Sequence, residues 1–351
     1  MDSLSPEYES DLRIFAAQYF QVVDAQSLIF PSNPVLIKPA AQKWVYQNMF
    51  NEDVIWPIPP ASYRMRVLKA LLSRIEDSIM DPEEDEISDD LMACWGDLVA
   101  RPKRPPLEEA QDLSYIKYSP PGTLGRGESQ AIVTSENRGL ILSSGTTGFR
   151  TWEAALHQGT YLSTPAGRAV VSGKNIVELG AGTGLVSMYC LKYLGAKRVV
   201  ATDREPALIS NIEDCVVRNN LDCSKFHSRI WEWGRPLELP DDSGADHPTT
   251  FDVALGSDLV CASQNHLHVS DDLKARVHRT DPWYDWQIYD ADLIPVLLST
   301  LRELFENYGL KVFLISATLR NRKTFAMFLK SCGVHPCQSS LMYAGWYTKS
   351  H

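Results

Sequence analysis

Three glycines at alternating positions follow a short apolar segment that ends in an acid. The segment reads VELGAGTG over residues 177–184, with Glu178 shortly before Gly180, Gly182 and Gly184. Glycine lacks a Cβ, so its backbone can adopt conformations closed to other residues and can approach a ligand closely. This pattern predicts that a cofactor binds against the backbone of the loop.

Dinucleotides and S-adenosylmethionine both bind to loops of this kind. The dinucleotide fingerprint is G-x-G-x-x-G, in which the last glycine allows close helix packing around a pyrophosphate. From Gly180 the chain reads GAGTGL, which puts Leu185 in that last position. Glu178 would repel a pyrophosphate, whereas it suits the ammonium group of a methionine moiety. These features favour S-adenosylmethionine over a dinucleotide.

A second acid, Asp203, lies nineteen residues after Gly184, at the end of the apolar segment KRVVATD. Acids at this position of nucleotide-binding βαβ units accept hydrogen bonds from the ribose hydroxyl groups. An aspartate at the end of a strand is also commonly a helix cap. The order and spacing after the glycine loop favour the ribose role.

The residues around the loop predict a strand, a glycine turn and a helix in succession. KNIVELG has the composition of a buried strand, and LVSMYCLKYLG has helical periodicity that ends at a glycine. From about residue 130, strands and helices alternate, which predicts an α/β fold with a mainly parallel sheet covered on both faces. Ligands of such sheets bind at the carboxyl ends of the strands, where Trp233 and Asp258 also fall. The further strand candidates are SKFHSRIWEW, FDVALGSD, LKVFLISATL and SSLMYAGWYT.

Residues 1 to about 100 have a different character. SPEYESDLRIFAAQYF and SYRMRVLKALLSRIEDSIM are amphipathic segments that predict helices. RPKRPP at 101–106 and GTLGRGESQ at 122–130 predict flexible connections. We therefore expect an N-terminal helical domain and linker over residues 1–128 and an α/β domain over residues 129–351.

Composition narrows the classes of function. The chain has 351 residues, of which 44% are apolar, and no run approaches the roughly 18 apolar residues that cross a bilayer. The acidic amino terminus is unlike a signal peptide, so we expect a cytoplasmic protein with no membrane partner. A formal net charge of −10 argues against direct nucleic-acid binding and suits a basic protein partner. The seven cysteines form no CxxC pair, which predicts reduced thiols and no metal.

Five segments together resemble those of a known family. They are TTGFRTWEAALHQGTYL at 146–162, VELGAGTGL, ATDREPALISNIEDCVVRNN at 202–220, EWG at 232–234 and ATLRNRKTFAMFLKSCG at 317–333. The chain resembles the seven-strand protein-lysine methyltransferases, and within them the enzymes that methylate a lysine of elongation factor 2. The glycine loop marks only the superfamily, whereas Trp152-Glu153-Ala154 and Thr318–Phe325 are markers of the subgroup.

The resemblance implies a Rossmann-like, seven-stranded class I methyltransferase domain over residues 129–351. Its implied cofactor is S-adenosyl-L-methionine and its implied partner is a protein substrate, elongation factor 2; we expect the enzyme to be a monomer. Glu178 and the glycines would hold the methionine end and Asp203 the ribose, while Trp233 would lie against the adenine. Trp152 would line the cofactor and acceptor pocket. The implied cofactor-binding residues are Trp152, Glu178, Gly180, Gly182, Gly184, Asp203, Trp233 and Ser257.

The chain departs from the family at the acceptor motif, an acid followed three residues later by a tyrosine. Asp258 is in place, but the third residue after it is Cys261. The segment YDADLIPVLLSTL at 289–301 resembles what normally follows the acid directly. The pattern therefore indicates an insertion of 28 residues, Val260–Gln287.

Two interpretations of this insertion remain open. It is either a lid or substrate loop, since long loops often carry function, or a retained intron translated by an incorrect gene model. Removing it joins Asp258-Leu259 to Ile288-Tyr289, which restores the motif. A valine codon begins with GT and a glutamine codon can be CAG, as expected at the two ends of an intron.

The charge of the methyl donor sets the mechanism. Methyl transfer from a sulfonium requires in-line attack by a neutral amine. A free lysine has a pKa of about 10.4, but a nearby sulfonium and an apolar pocket both favour its neutral form. Because no strong general base is then required, the catalytic assignments are Asp258 for orienting the amine or the backbone and Tyr289 for shaping the acceptor channel.

The leading interpretation is a protein-lysine methyltransferase that acts on elongation factor 2. One alternative is the same chemistry on another protein or a small molecule. A second is a noncatalytic binding module with the same fold, and a nicotinamide oxidoreductase is the weakest option.

Overall fold

The computed structural model of the chain describes residues 4–81, 85–120, 130–140, 143, 146–239, 250–259, 293–318 and 322–332. These residues fall into two compact units that divide after Leu140. Among the described residues, no helix is both long enough and apolar enough to span a membrane. The strand predicted for SSLMYAGWYT, at 339–348, lies outside the described residues.

The first unit is mainly helical. The two segments predicted to be helices, at 5–20 and 62–80, are confirmed, because they coincide closely with the helices α1 and α4. At the start of α1, the Ser5 side chain accepts a hydrogen bond from the backbone N–H of Tyr8 at 3.4 Å, and Pro6 takes the first helical position, where no N–H partner is needed. The helices are α1 (Pro6–Phe20), α2 (Asn33–Leu36), α3 (Pro39–Val45) with a π-helical turn after it (Tyr46–Phe50), α4 (Ala61–Glu76), α5 (Asp89–Ala100) and α6 (Pro106–Gln111).

Apolar side chains of α1, α3, α4 and α5 form the core of this unit. A buried amide ties a connecting segment to that core. The Gln42 side chain donates to the Glu86 carbonyl at 3.1 Å and accepts from the Ser88 N–H at 2.8 Å. Because Ser88 directly precedes α5, this one side chain fixes the point at which the helix begins.

Two antiparallel strands also belong to the first unit. They are β1 (Ser114–Tyr118) and β2 (Ile132–Glu136), paired so that Ser114 lies opposite Glu136 and Tyr118 opposite Ile132. The sequence pattern did not predict β1, because five residues in a linker-like stretch carry too little periodicity. Strands this short are stabilised by pairing and burial rather than by their own composition.

Glu136, at the end of β2, is fully buried and paired with Arg138. One carboxylate oxygen lies 3.0 Å from Nε of Arg138, and the other accepts hydrogen bonds from the Tyr118 hydroxyl at 2.8 Å and the Thr134 hydroxyl at 2.7 Å. A buried charge is tolerated when it is paired and hydrogen-bonded in this way. The cluster therefore connects the two strands inside the unit.

The second unit contains a parallel sheet with five described strands. Their spatial order is β5-β4-β3-β6-β7, and every adjacent pair is parallel. All five strand predictions that fall on described residues are confirmed. The strands are β3 (Asn175–Leu179), β4 (Arg198–Asp203), β5 (Phe226–Ile230), β6 (Val253–Ser257) and β7 (Val312–Ser316).

Helices cover the sheet because its inner strands are apolar on both faces. The helix α7 packs against β6 and β7, and α10 packs against β4 and β5. Val177, Leu179 and Ala254 share a buried cluster with Leu297 and Leu301 of α11. The helices of this unit are α7 (Glu153–Ser163), α8 (Pro165–Val171), α9 (Leu185–Tyr193), α10 (Pro206–Arg218), α11 (Leu293–Asn307) and α12 (Arg322–Ser331).

The strand order determines where a ligand binds. From the central strand β3 the chain proceeds outward through β4 and β5, and then returns to the other side of β3 with β6 and β7. In open parallel sheets, ligands bind in the crevice outside the carboxyl ends of the strands at such a reversal. The loops after β3, β4 and β6 therefore form the candidate site.

The buried pair Glu136–Arg138 leads to a prediction of stability. Glu136→Gln leaves the Arg138 charge without its partner, and breaking a buried ion pair on one side costs about 3 kcal/mol of unfolding free energy. We expect a loss of that size in urea denaturation followed by circular dichroism. The control is Glu9→Gln, which breaks the exposed pair Arg13–Glu9 and should change stability by less than about 0.5 kcal/mol. Equal, small losses in both variants would contradict a structural role for the buried pair.

Candidate active site

The predicted glycine loop connects the central strand β3 to α9. Gly180, Gly182 and Gly184 have φ angles of 58°, 54° and 73°, a left-handed conformation that residues with a Cβ seldom adopt. Space is also restricted, since a Cβ on Gly182 would lie 3.1 Å from the carbonyl oxygen of Gly148. Both the backbone conformation and the close approach require glycine in this loop.

Glu178 is buried on β3 and links this strand to the helix that follows the glycine loop. Its carboxylate accepts a hydrogen bond from the backbone N–H of Ser187, in the first turn of α9, at 2.9 Å. Burial raises the pKa of Glu178 to about 7, with a smaller contribution from the negative charge of Asp203, although the Ser187 hydrogen bond opposes this shift. A positive charge on a ligand would favour the ionised form of this acid.

Asp203 ends β4 and lies beside the same loop. Its two carboxylate oxygens accept hydrogen bonds from the backbone N–H groups of Gly182 at 3.0 Å and Glu205 at 3.2 Å. Burial raises the pKa of Asp203 despite these hydrogen bonds. Because each carboxylate oxygen has two lone pairs, both can still accept a hydroxyl group of a ligand.

Trp233, which follows β5, also reaches the glycine loop. Its ring carbon Cζ2 lies 3.9 Å from the position that a Cβ on Gly180 would occupy, and Leu259 lies 3.1 Å from that same position. Trp233 is half-buried and packs against the apolar cluster that β3 and β6 form with α11. An indole ring here offers a flat apolar face to a ligand.

Residues 146–152 pack across the glycine loop and bring Trp152 to it. The hydroxyl oxygens of Thr151 and Thr183 are 2.7 Å apart. The half-buried Trp152 immediately precedes α7, and its indole N–H donates to the carbonyl of Thr147 at 3.1 Å. The position of the ring is therefore fixed by the segment that crosses the loop.

The hydroxyl of Ser257, at the end of β6, is used within the protein. It donates to the side-chain oxygen of Gln158 at 2.6 Å, and it accepts from the Ser316 hydroxyl at 3.2 Å. The amide of Gln158 donates in turn to the Leu314 carbonyl at 2.9 Å. This network joins α7 to the ends of β6 and β7, next to the cofactor loop.

Asp258 follows β6 and has a left-handed backbone with φ of 50°, which is unfavourable for a residue with a Cβ. Its carboxylate accepts hydrogen bonds from the N–H of Thr318 at 2.6 Å and from the Thr318 hydroxyl at 3.1 Å. The Asp258 N–H donates to the Ser316 carbonyl at 2.9 Å. These contacts hold the turn after β6 against the end of β7.

The second catalytic prediction, Tyr289, and the insertion Val260–Gln287 lie outside the described residues. Sequence reasoning missed four residues that shape the site, namely Thr151, Gln158, Thr183 and Ser187. Thr183 and Ser187 lie in or beside the recognised loop, and Thr151 directly precedes Trp152. No pattern in the sequence marked Gln158, which looks like any other polar residue on a helix.

The assembled groups match the chemistry of S-adenosylmethionine. The glycine loop permits close approach of the cofactor, and the two acids can attract its cationic methionine end and accept its ribose hydroxyls. The indole of Trp233 can cover a base. A Cβ at any of the three glycine positions would crowd Leu259, the Gly148 carbonyl or Ile212 at 3.0–3.1 Å, so this tightly packed loop exposes backbone rather than side chains to the cofactor.

The raised pKa of Glu178 leads to a pH prediction. Glu178→Gln keeps an oxygen for the Ser187 N–H and removes the titrating group. The folded-state pKa of about 7 exceeds the ordinary value of 4.5, so the stability gained from protonation is fully present below pH 4.5 and is lost as the pH rises through 7. We expect the Tm of the variant, relative to the parent, to increase between pH 5 and pH 8 in ligand-free thermal scans. The exposed Glu238→Gln is the control, and a flat difference for Glu178→Gln would contradict the raised pKa.

Comparison with known proteins identifies the family of the chain. The sequence profile of a family described as lysine methyltransferase matches residues 140–277. A protein-lysine N-methyltransferase EFM3 from Chaetomium thermophilum is 38% identical over 320 residues, which cover 91% of this chain and 86% of that protein. The EFM3 protein of Saccharomyces cerevisiae is 29% identical over 222 residues, which cover 58% of this chain and 54% of that protein.

These likenesses confirm the predicted family, the α/β fold and the cofactor. The similarity to the first relative extends over 91% of this chain. On this basis the chain belongs to the lysine methyltransferase family, as an enzyme that transfers a methyl group from S-adenosylmethionine to a lysine of a protein.

Proposed function

We propose that the protein substrate is elongation factor 2, methylated on lysine by a monomeric, cytoplasmic enzyme. The observation that carries this proposal is the position of the two subgroup markers. One of them, Trp152-Glu153-Ala154, directly follows the segment that packs across the glycine loop, through Thr151 and Thr183. The other begins at Thr318, which binds the carboxylate of Asp258. Both markers therefore lie at the edge where cofactor and acceptor must meet.

We propose the cofactor contacts that the family resemblance implies, and the positions of these residues around the glycine loop support them. Glu178 and the three glycines hold the methionine end, and Asp203 accepts the ribose hydroxyls. Trp233, beside Gly180, covers the adenine. The indole of Trp152 lies between the cofactor and the acceptor lysine. The backbone at Ser257 forms the edge of the pocket.

S-adenosylmethionine supplies an electrophilic methyl group on a sulfonium. The protein must therefore align a lysine nitrogen with that methyl group and stabilise the neutral form of the amine. Removal of the amine from water and its repulsion by the sulfonium both disfavour the charged amine and lower its pKa. No residue of the site needs to act as a strong base, because deprotonation can precede binding.

Asp258 serves this reaction as a positioning residue. Both oxygens of its carboxylate accept hydrogen bonds from Thr318. A carboxylate held in this way fixes the turn after β6 and hence the backbone beside the acceptor. Tyr289 would complete the acceptor channel, either from a chain that lacks Val260–Gln287 or through the insertion as a substrate loop.

We also propose that residues 1–128 act as a separate helical domain with its linker, and residues 129–351 as the catalytic domain. An N-terminal domain of this kind could recognise the protein substrate. A truncated enzyme that starts at residue 141, so that the β1–β2 pair is removed together with the rest of the first unit, would then keep S-adenosylmethionine binding and lose protein methylation.

The substrate is tested by transfer of labelled methyl from S-adenosylmethionine to purified elongation factor 2. The chain as written is compared with a version lacking Val260–Gln287, and mass spectrometry locates the modified residue. We expect labelling of a lysine by the shortened chain, because the deletion restores the spacing between Asp258 and Tyr289.

The other outcomes separate the remaining interpretations. Equal activity of both chains would make the insertion a tolerated loop, and transcripts that read through it would reject the intron. Cofactor binding without labelling of elongation factor 2 by either chain would contradict this substrate and favour another acceptor or a binding role.

The role of Asp258 is tested by Asp258→Asn and Thr318→Val in the active chain. The asparagine loses one of the two acceptor oxygens together with its charge, so we expect kcat/KM to fall about 10- to 100-fold, since each 1.4 kcal/mol is tenfold. The valine removes only the hydroxyl bond and should cost less than about 10-fold. The dissociation constant of S-adenosylmethionine should stay unchanged in both variants.

A matched control exists away from the site. Asp222 accepts the N–H and the hydroxyl of Ser224, at 2.9 and 2.6 Å, in the connection before β5. Asp222→Asn makes the same substitution at an aspartate that accepts from a neighbouring serine at the opposite edge of the sheet, and it should leave kcat/KM at the parental value. Parental activity of Asp258→Asn would refute the positioning role.

A further inference from the structure

Arg150 is a cation beside the glycine loop that has no part in the functions described above. Its guanidinium carbon lies 4.9 Å from the centroid of the Trp152 ring. Its Nε atom is buried and has no hydrogen-bond partner among the residues that the structure describes. A buried donor without a partner costs free energy, so a ligand that supplies an acceptor here would relieve that cost.

The backbone on both sides of Arg150 is fixed against the loop. The carbonyl oxygen of Gly148 lies 3.1 Å from the position that a Cβ on Gly182 would occupy, and the hydroxyl of Thr151 contacts that of Thr183. Arg150 sits between these two contacts, and its planar side chain stacks on an indole. Stacking restricts the guanidinium, so little further freedom is lost when it binds a carboxylate.

The methionine end of the cofactor brings a carboxylate to this loop together with its ammonium group. Three of the N–H groups in GAGTG, residues 180–184, are already used within the protein. Ala181 donates to the Thr202 carbonyl at 2.8 Å, Gly182 to Asp203 at 3.0 Å and Gly184 to the Ala181 carbonyl at 2.8 Å. The loop therefore has at most the N–H groups of Gly180 and Thr183 to offer a carboxylate, and a charged donor from outside the loop would bind it more strongly than these neutral groups.

Local charge points to the same residue. Arg150 is the one lysine or arginine within residues 146–153 and 178–187, the two segments that meet at the loop. Arg204, which follows Asp203, pairs with Glu205 at 3.1 Å. Without a cation nearby, the ligand carboxylate would face only the two buried acids, Glu178 and Asp203, which repel it.

We infer that Arg150 binds the carboxylate of the methionine moiety and thereby selects cofactors that carry it. This inference rests on the proposed placement of the methionine end at Glu178 and the glycine loop. It is independent of which protein is methylated.

The test compares S-adenosylmethionine with its decarboxylated analogue, which keeps the ammonium, the sulfonium and the adenosine. Isothermal titration of the full chain measures binding of each ligand without any acceptor protein. We expect the parent to bind S-adenosylmethionine about 10- to 100-fold more tightly than the analogue, the range of a charge-assisted hydrogen bond. In Arg150→Met, whose apolar stem still covers Trp152, the two ligands should bind within about threefold of each other.

A matched control is Arg74→Met. The Arg74 guanidinium also stacks on an aromatic ring, 4.5 Å from the centroid of Phe30, but it belongs to α4 in the first unit. This variant should keep the parental ratio of the two affinities. If Arg150→Met does not fold, Arg150→Lys replaces it. The lysine keeps the charge but loses the planar fork of the guanidinium. The ratio of its affinities for S-adenosylmethionine and the decarboxylated analogue should therefore fall between one and the parental value.

Three results would overturn the inference. Equal binding of both ligands by the parent would show that the carboxylate is not recognised. An equal loss for both ligands in Arg150→Met would show that the guanidinium only supports Trp152. If the parent bound neither ligand, the proposed cofactor contacts would fail together with the inference, a result distinct from the other two.

Discussion

Two buried carboxylates hold the glycine loop in place. Glu178 accepts the Ser187 N–H, and Asp203 accepts the N–H groups of Gly182 and Glu205. Both acids lose hydration on burial, which raises the pKa of each. The loop therefore depends on acids that are costly to keep ionised, and a cationic ligand beside them would favour their ionised forms.

The same carboxylates explain why the site forms at the centre of the sheet. Glu178 lies on β3 and Asp203 on the adjacent strand β4, so their hydrogen bonds connect two strands to one loop. The Thr202 hydroxyl adds a third link, to the Glu178 carbonyl at 2.6 Å. Trp233 and Leu259 then approach Gly180 from the ends of β5 and β6. Each neighbouring strand thus contributes to a pocket whose position is set by the backbone of β3.

Local patterns predicted the parts of this arrangement that lie close together in the chain. A buried strand, a glycine turn and a helix are short-range features, and the spacing to Asp203 follows from one βα unit. The contacts of Thr151 with Thr183 and of Gln158 with Ser257 and Leu314 could not be predicted in this way. A hydroxyl or amide has many possible partners, and only tertiary packing selects one. The pair β1–β2 was missed for a related reason, since its stability comes from pairing.

Asp258 lies two residues before the insertion that begins at Val260. Its left-handed backbone and its bonds to Ser316 and Thr318 fix the turn after β6. Leu259 then packs against Gly180 and Gly256. All of these contacts are made by residues outside the insertion, on either side of Val260–Gln287. The contacts that hold the glycine loop among the described residues therefore lie outside the insertion, whereas the separation of Asp258 and Tyr289 along the chain is set by it. If the proposed roles hold, a change in that segment would alter the acceptor motif and leave these loop contacts in place.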